Sequence, residues 1–234
     1  FLIASGFGLA WGLLVGRRRE AAAPTGAGTA GGTGAAAGTG AAPSWRDLPP
    51  LPLGWFFRRR VARVYPLWWG AHLLFLLPAF ALGWGIFSLS KELLLSLAGL
   101  RVTPPSFYWA FPAWWFIGLL LQLYAVFPLL WAGLRRWGPG RLLAACVVAG
   151  LAARAAVLLL LPGVDMWLRG AVFVTRLPEF ALGVALASWL ARDRARVDAW
   201  LRRPGTVALG ALAWLAGMGL SGTWWGMTAA PLLL

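Results

Sequence analysis

The residues best suited to chemistry lie in one short run, Trp55-Phe-Phe-Arg58-Arg59-Arg60-Val-Ala-Arg63-Val-Tyr65-Pro66-Leu-Trp68-Trp69. Arg60 and Arg63 are three residues apart, so on a helix they share a face. Two guanidinium groups so placed can grip a phosphorylated ligand from two points. The same run also has a purely structural use, as a basic, aromatic-flanked anchor at a membrane interface. The chain's only histidine, His72, follows closely. A general base is one role for it, and packing or hydrogen bonding is the commoner one. Arg154, Arg176 and Glu179 lie within apolar runs. Ionisable groups are costly in lipid, so they belong inside a helix bundle, usually with a partner. Arg176 and Glu179, three apart around Pro178, suit either an intrahelical ion pair or the lining of a substrate path. Gln122 and Tyr124 are polar groups that should also point inward. Nothing in the sequence groups metal ligands, and no metal is expected. With Cys146 as the single cysteine, an internal disulfide framework is excluded.

The elements that hold these residues are apolar helices, and their solvent is lipid. Hydrophobic residues make up 60% of the 234-residue chain and charged residues 12%, and the mean hydropathy is +0.73. Soluble domains carry about 25% charged residues. The 17 tryptophans suit the headgroup interface, where an apolar ring and a polar N–H are both satisfied. The net charge of +14 does not point to nucleic acid. Its cations sit in short gaps between apolar runs and not on one solvated basic face.

A helix needs about 20 apolar residues to cross the hydrocarbon core. Candidate crossings are residues 1–16, 65–87, 113–134, 142–162, 171–191 and 206–221, with 223–234 as the start of another. The run 88–101 is short and carries Lys91 and Glu92, so it is assigned to the interface. Charge supports that choice. With 88–101 not crossing, one side receives Arg17, Arg18, Arg19, Arg46, Arg58, Arg59, Arg60, Arg63, Arg135, Arg136, Arg141, Arg192, Arg194, Arg196, Arg202 and Arg203. The other side receives only Lys91, Arg101 and Arg169. The positive-inside rule then puts the arginine-rich loops in the cytoplasm. The predicted fold is an all-α, polytopic transmembrane bundle of about six or seven spans, forming a single domain over residues 1–234.

Residues 20–54 are predicted to be a flexible Ala/Gly-rich cytoplasmic loop. Gly26-Ala-Gly28-Thr-Ala-Gly31 formally matches a dinucleotide-binding pattern but lacks the preceding strand and following helix which that pattern needs. Gly8, Gly12 and Gly16 recur every four residues, predicting a flat face for a neighbouring helix. Phe1 opens inside an apolar run without a methionine, and the chain stops within another. Both ends are expected to be cuts, with a further helix upstream.

The arginine run resembles the arginine-rich motif of the acyltransferase-3 family of bacterial membrane acyltransferases, roughly F-x-x-R-R-x-x-R-I-Y-P-L-Y-W. Three further stretches are similar to that family in the same order. They are Phe1-Leu-Ile-Ala-Ser5-Gly6-Phe7, Trp115-Phe-Ile-Gly-Leu-Leu-Leu-Gln122-Leu-Tyr124-Ala-Val-Phe-Pro128, and Arg176-Leu-Pro-Glu179-Phe180-Ala-Leu-Gly183. The resemblance implies an enzyme of the bacterial plasma membrane that moves an acyl group, usually acetyl from coenzyme A, onto a hydroxyl of a cell-envelope carbohydrate or another small acceptor. Acyl-CoA would be a co-substrate, with no bound cofactor. The resemblance also implies that Arg60 and Arg63 bind the donor, and that Ser5, Tyr65, Trp115, Gln122, Tyr124, Arg176 and Glu179 line the pocket. The family's catalytic histidine belongs to its first helix, upstream of Phe1, and leucines replace the carboxylate expected between Trp115 and Gln122. No catalytic base is therefore assigned. A transporter or flippase, and a non-catalytic membrane scaffold, are the alternatives. The absence of any second copy of a motif weighs against the first.

Overall fold

A computed structural model of the chain describes residues 2–22, 44–83, 90–101, 104–107, 109–110, 114–161 and 171–220. The glycine pattern at 26–31, Arg169 and the expected span at 223–234 lie outside the described residues. All regular structure among the described residues is helical. The helices are α1 Leu2–Ala22, α2 Leu53–Ala81, α3 Lys91–Leu97, α4 Trp115–Leu160, α5 Leu177–Arg192, α6 Arg194–Leu201 and α7 Pro204–Leu220. Single turns at Trp45–Asp47, Pro104–Phe107 and Phe173–Arg176 complete them.

Three helical stretches are long and apolar enough to cross a membrane, Leu53–Ala81, Trp115–Leu160 and Phe173–Arg192. At 46 residues, α4 has length for two crossings of a core about 30 Å thick. Gly138 interrupts it with φ 78 and ψ 170, so it is two helical limbs, in keeping with separate spans at 113–134 and 142–162. On α2, Leu67 is 79% exposed, and Leu74, Leu77 and Phe80 are exposed as well. Such a face would be a liability in water and is solvated in lipid. α3 has seven residues and a length of about 10 Å, too short to cross.

Two boundaries differ from the sequence expectation. α2 starts at Leu53, ahead of the expected crossing 65–87, and it carries the arginine motif on a helix, as the shared face of Arg60 and Arg63 requires. Arginine is a good helix former, and past Gly54 in the first turn no glycine or proline precedes Tyr65. The expected loop 20–54 is correspondingly narrower. α1 continues to Ala22, and Ser44 and Asp47 close a reciprocal capping box around the Trp45 turn.

The chain forms two compact units, one of residues 1–49, 134–143 and 179–234, the other of residues 50–133 and 144–178. In the first, α1 packs on α5 with almost no side chain between them. A Cβ on Gly6 would collide with the Phe180 carbonyl, and one on Gly183 with the Ile3 carbonyl and the Phe7 amide. Leu9, Ala10, Leu13 and Leu14 continue the buried stripe of α1, and Ala181, Val184, Ala185 and Ser188 that of α5. This corrects the expected glycine face. Gly8 and Gly12 look into open space, because the apolar stripe facing α5 runs through Gly6 and the residues in register with it. Gly16 carries no described surroundings. Trp45 covers Gly138, where a Cβ would sit 3.2 Å from its ring, and the Arg192 guanidinium lies 5.2 Å from the same indole.

Backbone-to-backbone packing of this kind has no slack. Gly183→Val is expected to destabilise the protein by about 1–3 kcal/mol through overpacking, while Gly8→Val leaves thermal unfolding in detergent within error of wild type. Equal melting temperatures for the two variants would contradict the packing.

Candidate functional site

The second unit holds the arginine motif. A winding stripe of α2 faces inward through Phe56, Arg60, Trp68 and His72, with Arg60 half-buried and the others buried. The Arg60 guanidinium lies 5.3 Å from the Phe56 ring and 5.7 Å from that of Tyr124 on α4. Phe56 stacks on Phe127 at 5.3 Å. Two segments singled out separately in the sequence thus meet here, and Arg63, one turn on and exposed, is within electrostatic reach of both Arg60 and Tyr124. The buried Nε of Arg60 has no hydrogen-bond acceptor among the described residues. A cation on aromatic faces with an unfilled donor is suited to an anionic ligand.

The aromatic half of the motif does different work. Its side chains cap the C-terminal end of α3. Tyr65 donates its hydroxyl to the Ala98 carbonyl at 2.8 Å, Trp68 its indole N–H to Ser96 at 2.9 Å, and Trp69 its indole N–H to Leu97 at 3.1 Å. Backbone bonds from Leu100 to Leu95 and from Gly99 to Ser96, both 2.8 Å, with Gly99 at φ 75, form a Schellman closure. A helix end leaves carbonyls orphaned, and here every one from Leu94 to Ala98 has a donor. The Tyr65 hydroxyl expected to line a pocket is therefore committed to the backbone.

His72 joins the same assembly. Its Nδ1 is 3.0 Å from the Trp68 carbonyl, and its Nε2 is 2.9 Å from Ser96 Oγ. A carbonyl only accepts, so Nδ1 carries the proton, and in the neutral ring Nε2 accepts from the serine hydroxyl. Both ring nitrogens are engaged, and His72 and Ser96 are buried.

Arg101, assigned in the sequence to an outer loop, is buried to 0% exposure. It lies just past the α3 cap, and Gly118 of α4 makes room for it; a Cβ there would be 3.0 Å from that of Arg101. Its Nε donates to the Ser106 carbonyl at 3.0 Å, and its Nη2 donates to the Trp109 carbonyl. Its guanidinium lies 5.5 Å from the Trp114 ring and 6.0 Å from that of Trp68. Nη1 has no acceptor among the described residues. Burial pulls its pKa down to about 10, so it remains a cation at neutral pH. Its sequence signal was slight, a lone arginine before a Trp- and Pro-rich stretch. What surrounds it is decided by residues from α2 and α4.

The remaining residues divide by role. Gln122 spends its amide on the chain entering the Phe173 turn, donating to the Ala171 carbonyl at 2.7 Å and accepting from the Phe173 amide at 3.2 Å. Trp115 is half-buried against Phe107 and Phe116. Ser5 is half-buried beside Gly6 in the first unit. Arg176 ends the Phe173 turn and Glu179 lies in the first turn of α5; both are half-buried, and they fall in different units. Arg154 is buried in the second limb of α4. No cluster that could hold a metal occurs among the described residues.

Apolar helices that need a lipid solvent, with cations enclosed at Arg101 and Arg154, define an integral membrane protein built to hold charge inside. The family model for the acyltransferase domain of the acyltransferase-3 family matches residues 1–234, and the chain belongs to that family. It is a membrane acyltransferase. No curated protein and no solved structure matches it.

If the α2 side chains hold α3, Trp68→Phe removes one of the two donors to the Ser96 carbonyl, leaving the Gly99 amide, and costs about 0.5–1.5 kcal/mol. Leu67→Ala, on the exposed face next to it, is expected to change stability by no more than about 0.5 kcal/mol. Thermal unfolding of both variants in the same detergent checks the contrast.

Proposed function

We propose that the enzyme transfers an acyl group, acetyl from acetyl-CoA, to a hydroxyl of a cell-envelope carbohydrate or other small acceptor in the bacterial inner membrane. The donor's phosphates are held at the cytoplasmic end of α2 by Arg60 and Arg63. The observation that carries this reading is the meeting of Arg60 and Tyr124, with the half-buried guanidinium flanked by aromatic rings and its Nε unfilled. Arg60 offers a fixed, partly desolvated charge. Arg63, exposed and three residues on, adds a second donor from the same face. The one-sided distribution of arginines supports a cytoplasmic location for this end of α2.

In the reaction a base removes the proton from the acceptor hydroxyl, the oxygen attacks the thioester carbonyl carbon, and the thiolate leaves with the proton. None of the polar residues committed to α3, Tyr65 and His72 among them, is assigned as that base. Donor phosphates at Arg60 would leave the thioester arm free to run along the inward stripe of α2.

The full-length protein with labelled acetyl-CoA tests the donor site. Arg60→Ala combined with Arg63→Ala is expected to weaken donor binding about 10- to 100-fold, as the loss of charge-assisted contacts predicts. Arg60→Lys should lose less, since it keeps the charge but not the planar fork. Donor affinity unchanged in the double variant would remove the pair from the donor site.

A further inference from the structure

Arg101 presents an electrostatic problem that the α3 cap does not solve. A buried guanidinium normally faces a carboxylate, because desolvating an unpaired charge is costly. Here Nε and Nη2 are taken by the carbonyls of Ser106 and Trp109. Trp114 and Trp68 rings flank the guanidinium. These groups attract the charge without neutralising it, and Nη1 is left without an acceptor among the described residues. Nη1, with its two N–H groups, therefore sits in an aromatic setting on a cation held in place by its other nitrogens.

We propose that Nη1 of Arg101 is an oxyanion-stabilising donor, binding the carbonyl oxygen of the acyl group as that oxygen gains negative charge during transfer. The proposal rests on the acyl-transfer reading above and adds a catalytic residue to it. Three features favour this ligand over a carboxylate or phosphate. Nε and Nη2 already donate to backbone carbonyls, so the side-on fork that grips a carboxylate is occupied, and Nη1 is the nitrogen without an acceptor among the described residues. The walls are indoles, suited to a small apolar acyl group and poor for a second charge. The site also lies along α2 from the proposed donor phosphates, since Trp68 is eight residues, about 12 Å of helix rise, beyond Arg60. Trp109 and Trp114, which touch Arg101, are only half-buried themselves.

The step balances without any further reactant. As the acceptor oxygen bonds to the carbonyl carbon, the C=O π pair moves onto oxygen, where Nη1–H holds it. Collapse restores the C=O bond and breaks C–S, and the thiolate takes up the proton removed from the hydroxyl. Fixed donors aimed at developing charge in a dry site require no reorganisation at the moment of reaction.

The test uses the full-length protein with labelled acetyl-CoA and purified cell-envelope polysaccharide as acceptor. Arg101→Met is expected to lower kcat about 10²- to 10³-fold, the usual loss for one oxyanion donor, with KM for acetyl-CoA near wild type and a lower melting temperature, since the Ser106 and Trp109 carbonyls lose a donor. A wild-type kcat, or a raised KM with kcat intact, overturns the proposal, the second outcome because it marks a binding or loop-holding role. Should Arg101→Met fail to fold, Arg101→Lys decides. It keeps the charge, and it should retain the donor KM and lose at least about tenfold in kcat; an unchanged kcat overturns the proposal. Absence of turnover in the wild-type protein would overturn the acyl-transfer reading and this one together, whereas normal turnover by Arg101→Met removes only the role of Arg101.

Discussion

A helix that stops leaves its last carbonyls without intrahelical donors, and each must be met by a donor from elsewhere. The second unit is organised around that demand. α3 is too short to cross, so its C-terminal carbonyls are met by side chains of α2, namely Tyr65, Trp68 and Trp69, and by the Gly99 closure. Docking α3 in this way brings Ser96 to His72 and lays the following chain against Gly118. Arg101 is drawn in with it. The interior cation is thus a consequence of how a non-crossing helix is terminated.

The motif Trp55–Trp69 therefore divides into two halves with different physics. Arg58, Arg59 and Arg63 are exposed, and only Arg60 turns partly inward onto Phe56 and Tyr124. One turn later the residues become aromatic donors addressed to backbone. A guanidinium on a ring face keeps its hydrogen-bonding edge available, whereas an indole or phenol used as a cap has spent its only donor. That difference is why Arg60 is the stronger candidate for ligand contact and Tyr65 the weaker, although both belong to the same sequence signature.

Helix-to-helix approach in the first unit follows another rule of lipid-soluble folds. With no hydrophobic drive between apolar helices in lipid, close backbone contact supplies the attraction. Gly6 and Gly183 give that contact reciprocally, each accommodating the other helix's backbone. Both glycines sit in stretches that resemble the family pattern, so part of that pattern records packing and not chemistry.

Much of this was legible from residue types. The lipid solvent, the separate limbs of α4, the non-crossing run before Arg101 and the arginine motif all follow from hydropathy length and charge sidedness, which are local sums that need no partner. The glycine face was misread because periodicity shows that small residues align, and not which side a neighbour occupies; Gly8 and Gly12 align as well as any but face open space. Arg101 looked like a loop charge because its neighbours in sequence are unremarkable, and its burial comes from Trp68, Trp114 and Gly118, far from it along the chain. The sequence alone determined that this is a polytopic membrane protein and marked Arg154, Arg176 and Glu179 as charges within apolar runs. The tertiary structure decided which of those charges are enclosed and which donors remain free, because burial and hydrogen-bond satisfaction are properties of surroundings assembled from distant segments.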